Sequence, residues 1–223
     1  MNPSAEESFR KEILVRQRKK IEVMKSCRKP YSVELLGKKI VVFPSVFYPA
    51  IDTKLLITAA DVRPDETVLE PCAGTGAISI FLAEKAKQVV ATDVNPAAVR
   101  NIEENARKHR IQDKIRVYQA DLFPRIKKKF DVIVINPPYT DNPTRNFVEQ
   151  AFWDEQHKVV KRFFKRAARH LAENGRIFLS WANFAGFDFI ENLAKEHKFV
   201  LKNVGETTNG KITFRVYEIK KSS

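Results

Sequence analysis

From residue 67 onward the chain alternates between short apolar runs and amphipathic stretches. TVLE, VVAT, IRVYQ and FDVIVI read as strands, AISIFLAEKAK as a helix, and a second helix starts at Asn95 and Pro96. Asn caps a helix and Pro fits its first position. Runs as uniformly apolar as VIVI belong to strands covered on both faces. The alternation therefore dictates an α/β fold, a mostly parallel sheet between helical layers. The pattern continues with a helix over about 156–172, a strand at 176–181, a helix around 187–197 and strands at 199–204 and 211–219. GETTNG joins the last two, and its Asn209 and Gly210 favour an antiparallel hairpin.

Ahead of this region Phe9, Ile13, Gln17, Ile21 and Met24 recur three or four apart within residues 5–29, with Arg10, Lys11, Arg18, Lys19 and Lys25 on other sides. That spacing predicts an amphipathic helix. Tyr31–Leu36 and Lys39–Phe43 read as a β-hairpin turning at Gly37 and Lys38, and SVFYPAIDTKLL as an irregular segment. The expected division is a basic extension, residues 1–45, and a main domain, 46–223. Residues 1–40 hold eleven basic and five acidic side chains, part of a net charge of +13. Such an arm suits RNA, DNA or an acidic partner, and equally a solvated helix face.

Several classes are set aside by composition. The opening MNPSAEESFRKE lacks the apolar core of a signal peptide, and the longest purely aliphatic run, Val132–Ile135, is far short of a membrane span. Cys27 and Cys72 have forty-four residues between them and no second thiol near either, which argues against a zinc knuckle or redox pair. His109, His157, His170 and His197 show no metal-ligand spacing. The expectation is a cytoplasmic protein with no metal and no membrane partner.

The chemistry concentrates at strand ends. Val68-Leu69-Glu70-Pro71-Cys72-Ala73-Gly74-Thr75-Gly76 closes the first strand of the alternation and opens a helix. Its two glycines let a polar ligand lie against backbone amides at a helix N-terminus. Ser79 at the third glycine position excludes the dinucleotide fingerprint. Asp93 ends the next strand, where a carboxylate accepts from both hydroxyls of a ribose. Asp121, past the following strand, stands in the same rim and suits an adenine amine. The fourth strand runs into Asn136-Pro137-Pro138-Tyr139.

With EPCAGTG, Asp93, Asp121 and NPPY in this order, the chain resembles the class I S-adenosylmethionine-dependent methyltransferases that methylate amino groups. The resemblance implies a Rossmann-like seven-stranded sheet with an antiparallel last strand, and S-adenosylmethionine as cofactor. It assigns cofactor contacts to Glu70, Cys72, Ala73, Gly74, Gly76, Asp93, Val94, Asp121, Leu122 and Asn136. It also implies that the Asn136 side-chain oxygen and the Pro137 carbonyl accept from the substrate NH₂, that Tyr139 stacks on its plane and that Pro138 stiffens the turn. Two acceptors that orient a delocalised nitrogen and stabilise its developing charge suit this chemistry.

Upstream, VFYPAIDTKLL is similar to the segment before the glycine loop in HemK-type protein glutamine methyltransferases, with Ile51 where one branch has an acidic residue. That likeness implies a glutamine side chain in a protein, such as a translation factor, and a small activator subunit. RNA or DNA base methylation uses the same tetrad, and the stripe Lys158, Lys161, Arg162, Lys165, Arg166 and Arg169 suits it. A non-catalytic RNA-binding protein is a third reading, which an intact NPPY disfavours. Phe152, Trp153 and Phe184 either line the substrate mouth or pack in the core.

Overall fold

The computed structural model describes residues 3–222. Helix α1 (Pro3–Ser26) leads into a hairpin of β1 (Tyr31–Leu35) and β2 (Lys38–Val42). Then follow α2 (Ile51–Ala59), β3 (Thr67–Pro71), α3 (Ala77–Lys85), β4 (Gln88–Asp93), α4 (Pro96–Lys108), β5 (Ile115–Gln119) and β6 (Phe130–Ile135). The remainder is α5 (Phe147–Gln150), α6 (Lys158–His170), β7 (Leu171–Ala182), α7 (Phe187–Glu196), β8 (Phe199–Asn209) and β9 (Ile212–Lys221).

The main sheet has seven strands in the order β5-β4-β3-β6-β7-β9-β8. β9 runs antiparallel to both its neighbours, and the other pairings are parallel. Val68, Leu69, Val89, Val132, Ile133, Val134 and Ile135 are buried, as expected of strands covered on both faces. One core layer packs α2, α3 and α4 on the sheet, and the other packs α6 and α7. Because β3 pairs with both β4 and β6, the chain reverses direction across the sheet at β3. Ligands of open α/β sheets bind at such a switch point.

Four local expectations change. The β1–β2 turn is Leu36-Gly37, since Leu35 pairs with Lys38. Both turn residues have positive φ, 48° and 79°, the conformation that matches strand twist and puts glycine second. The segment expected to be irregular contains α2, at whose start Thr53 Oγ1 accepts from Ala50 N at 3.1 Å. GETTNG is mostly strand: β8 runs to Asn209, which pairs with Ile212, so Gly210 and Lys211 make the turn. The period of the helix over 156–172 puts Val160, Phe163, Phe164, Ala167, Ala168 and Leu171 on its buried face, but Ala168 is exposed, whereas Val160, Phe163, Phe164 and Ala167 are buried.

The N-terminal helix lies on the domain. Phe9, Ile13, Ile21 and Met24 are buried, and Ile21 and Met24 cluster with Val148, Phe152 and Trp153. The hairpin is fastened to α4 by two fully buried asparagines. Asn105 Oδ1 accepts from Val41 N at 2.9 Å, and Asn101 Oδ1 from Phe43 N at 2.7 Å. Asn105 Nδ2 also reaches Thr75 O in the glycine loop at 2.9 Å.

Candidate functional site

A cavity of about 790 Å³ opens over the C-terminal ends of β3, β4, β5 and β6. The sheet order sets its contents in a row: Asp121 after β5, Asp93 ending β4, the glycine loop after β3 and Asn136 after β6. Glu70, Cys72, Ala73, Gly74, Val94, Leu122, Pro137, Pro138 and Tyr139 line it too; Gly76 caps α3 just behind.

The glycine loop is built by backbone bonds. Ala73 N donates to Thr92 O at 3.0 Å and Gly76 N to Ala73 O at 2.7 Å. Gly76 sits at φ +73°, where an added Cβ would lie 2.8 Å from Ile102 Cγ2. Asp93 Oδ2 accepts from Gly74 N at 2.9 Å and Oδ1 from Asn95 N at 2.8 Å. Burial raises its carboxyl against the pull of the Asn95, Gly74 and Val94 amides. Cys72 and Leu122 hold left-handed φ of 57° and 67°, strain of a kind that collects at functional sites.

Glu70, also buried, accepts at Oε2 from Ser79 N at 2.7 Å and from the Ser79 hydroxyl. Burial pushes its carboxyl up to about 8; the Ser79 bonds lower it and Asp93 raises it further. Asp121 is exposed at the rim, gripped by both guanidinium nitrogens of Arg162 at 2.5 and 3.1 Å. Arg162, part of the basic stripe, thus orients a pocket carboxylate.

At the other end of the row Asn136 and Tyr139 enter a network with two side chains that sequence reasoning missed. Asn136 Nδ2 donates to Asp52 Oδ2 at 3.2 Å, and Tyr139 OH lies 3.0 Å from the same oxygen. Ser180 Oγ donates to Asn136 Oδ1 at 2.5 Å and meets Tyr139 OH at 2.8 Å. The Tyr139 hydroxyl also touches Asn136 Oδ1. With the Tyr139 proton on Asp52 and the Ser180 proton on Asn136, Asn136 Oδ1 keeps one lone pair for a further donor. Burial, then the adjacent Asp52 charge, pushes the Tyr139 phenol well above its ordinary value, so it stays a neutral donor. Its ring is buried edge-on against Trp181 and Phe184, at 5.4 and 6.0 Å. Ser180 carried a signal, a lone hydroxyl in the apolar run IFLSWA. Asp52 carried less, because its segment gave no helical period.

The remaining candidates divide between the cavity wall and the rest of the fold. Phe152, Trp153 and Phe184 all line the cavity, and Phe152 and Trp153 are at the same time buried against α1. Of the basic run Arg125, Lys127, Lys128 and Lys129 between β5 and β6, Lys128 bonds Gln88 Oε1 at 2.9 Å, at the opposite sheet edge where β4 starts. His157 lies against Phe189 and His170 against Phe123, both with centroids 4.3 Å apart. Among the described residues no group of three or more His, Cys, Asp or Glu is placed to hold a metal, and no helix is long and apolar enough to cross a membrane.

A mostly parallel seven-stranded sheet with a glycine loop, a strand-end acid and NPPY around one cavity defines a class of group-transfer fold. Residues 40–217 match the family model described as Methyltransferase small domain, and the chain belongs to this family of methyltransferases. MJ0928 of Methanocaldococcus jannaschii, assigned as a protein N5-glutamine methyltransferase, is 34% identical over 162 residues, 69% of this chain and 81% of that one. The release factor glutamine methyltransferase of Aquifex aeolicus is 34% identical over 188 residues, 73% of this chain, which spans 64% of the relative. A tRNA1(Val) (adenine(37)-N6)-methyltransferase of Actinobacillus pleuropneumoniae is 38% identical over 92 residues, 40% of this chain and 39% of the relative. Among solved structures, the E. cuniculi Mtq2-Trm112 complex, responsible for methylation of the eRF1 translation termination factor, shares the fold. Its TM-score is 0.57 at 20% identity, over 80% of this chain and 99% of that one.

Proposed function

We propose that this methyltransferase delivers the sulfonium methyl of S-adenosylmethionine to a planar NH₂, the side-chain amide of a glutamine in a protein such as a translation factor. The observation that carries the reading is the acceptor network: Asn136 Oδ1, fixed through Asp52 and Ser180, stands in the same cavity as the glycine loop. The residues fit the cofactor. Each Asp93 carboxylate oxygen takes one backbone N–H and keeps a lone pair, which suits two ribose hydroxyls. The bare Cα of Gly74, beside Glu70, suits the methionine end, Cys72 and Ala73 complete that wall, and Val94, Asp121 and Leu122 suit the adenine.

When bound, S-adenosylmethionine supplies an electrophilic methyl. An amide nitrogen is a poor nucleophile, so the chain's task is to aim it and to stabilise the charge that grows on it. Asn136 Oδ1 and the Pro137 carbonyl would accept its two N–H bonds, Pro138 would stiffen the turn, and Tyr139 would act through its hydroxyl as well as its ring. The relatives named for glutamine support a protein acceptor. A small activator subunit and a cytoplasmic setting, where Cys27 and Cys72 stay reduced, belong to the same proposal.

RNA base methylation is the second reading, favoured by the cations Arg16, Lys19, Lys20, Lys158 and Arg162 along the cavity and by the tRNA enzyme match. The test is transfer of radiolabelled methyl from S-adenosylmethionine into a lysate of cells lacking the protein, divided between RNase and protease before counting. Label destroyed by protease alone is expected; label lost to RNase alone overturns the glutamine reading. Asn136→Ala should abolish transfer while cofactor affinity stays near that of the parent.

A further inference from the structure

The apolar stripe of α1 is broken once. Between Ile13 and Ile21, both almost fully buried, stands Gln17. An amide on a buried face costs free energy unless its donor and acceptor are both satisfied. Here both are. Gln17 Nε2 donates to Thr140 Oγ1 at 2.8 Å, and Gln17 Oε1 accepts from the Trp153 indole N–H at 2.8 Å.

The two partners flank the acceptor end of the cavity. Thr140 directly follows Tyr139, and Trp153 and the next residue, Asp154, both line the cavity. They already touch each other: Thr140 and Trp153 form an isolated bridge, and Asp154 N donates to Thr140 O at 2.8 Å. Gln17 closes this contact into a triangle and, with Ile13, Arg16 and Lys20 of the same helix, lines the cavity. A side chain needed only to hold α1 in place would be apolar, like its neighbours.

We propose that Gln17 is a positioning residue for methyl transfer: it fixes the Tyr139–Thr140 turn against the Trp153 segment, and through that turn aims Asn136 and Pro137. The N-terminal helix is then a wall of the acceptor pocket. The proposal rests on the methyl-transfer reading above. Its test compares the parent with Gln17→Met, which keeps shape and loses both bonds, and Gln17→Glu, which keeps both because its carboxylate accepts from the indole and from a rotated Thr140 hydroxyl.

For Gln17→Met, kcat for the protein acceptor should fall about 10–100-fold, with KM for S-adenosylmethionine within about threefold of the parent. Gln17→Glu should restore kcat to within about threefold. Trp153→Phe, which removes the indole N–H together with part of the ring system, should lower kcat at least as far with cofactor KM held, and adding it to Gln17→Met should cost less than the product of the two single effects. A Met variant with parental kcat, or Met and Glu variants that fail equally, overturns the role of Gln17. Cofactor KM worsening in step with kcat overturns it too. A parent protein that methylates no protein acceptor overturns the functional reading instead.

Discussion

Asp52 governs the acceptor end of the cavity, since its Oδ2 receives the Asn136 amide and the Tyr139 hydroxyl together. Asp52→Asn keeps the volume but has one acceptor oxygen where Asp52 uses two, Oδ1 for Thr53 N and Oδ2 for Asn136 and Tyr139, so with the oxygen kept on Thr53 N, Asn136 loses its anchor. With the acceptor nitrogen no longer aimed, kcat should fall roughly 10²-fold while cofactor affinity, measured by calorimetry, holds. Glu70 gives a pH signature. Its carboxyl is raised from 4.5 to about 8 in the fold, so between these values the unfolded chain binds fewer protons than the native one. The stability that the protonated group contributes is therefore complete below about pH 4.5, declines as pH rises and is lost beyond about 8. Glu70→Gln should gain on the parent in thermal midpoint across this window, with the gap constant above it. Of these residues, Asn136 and Tyr139 were legible in the sequence because their motif is contiguous. Asp52 was not, because its partners lie 84 and 87 positions away.

Elements were legible where a period or a cap declared them: the five-residue β5 and six-residue β6 fall on IRVYQ and FDVIVI, and Asn95 caps α4 by accepting from Ala97 N at 2.9 Å. Short α2 escaped because its nine residues begin after Pro49 and Ala50 and alternate poorly, and much of its order comes from packing against α3, β7 and β8. The extent of β8 escaped because turn-forming residues such as Gly205 and Asn209 sit inside a strand paired along β9. Turns also differ in what they tolerate. Gly37 and Gly76 both have φ above 70°, but a Cβ at Gly37 meets nothing within 4 Å, while at Gly76 it strikes Ile102. Gly37→Ala should cost about 1–2 kcal/mol, the price of left-handed backbone alone, and leave transfer unchanged. Gly76→Ala adds overpacking of about 1–3 kcal/mol and displaces the loop. Chemical denaturation and cofactor titration of the two variants should separate them, with weakened cofactor binding only in the second.

At the scale of the molecule, sheet order converts chain order into a site. The sequence predicts strands in succession, but not that β6 settles beside β3 rather than β5, and that choice sets Asn136 next to the glycine loop and Asp121 at the far end. Charge is distributed on the same plan. Cations of α1 and α6 line the same cavity, yet three of the five are locally answered: Arg16 by Glu12 at 2.6 Å, Lys158 by Glu155 at 2.9 Å and Arg162 by Asp121 at 2.5 Å. A surface so compensated attracts a polyanion less than the net charge of +13 suggests. Association with a protein acceptor should accordingly be mildly salt-sensitive, its KM rising less than about tenfold between about 50 and 200 mM salt. An RNA held by six to ten phosphate contacts would lose roughly 10³–10⁵ in affinity over that range through counterion release. Initial rates of methyl transfer across a salt series distinguish the two, and a fall of the larger size would shift the acceptor from a protein amide to a nucleic-acid base.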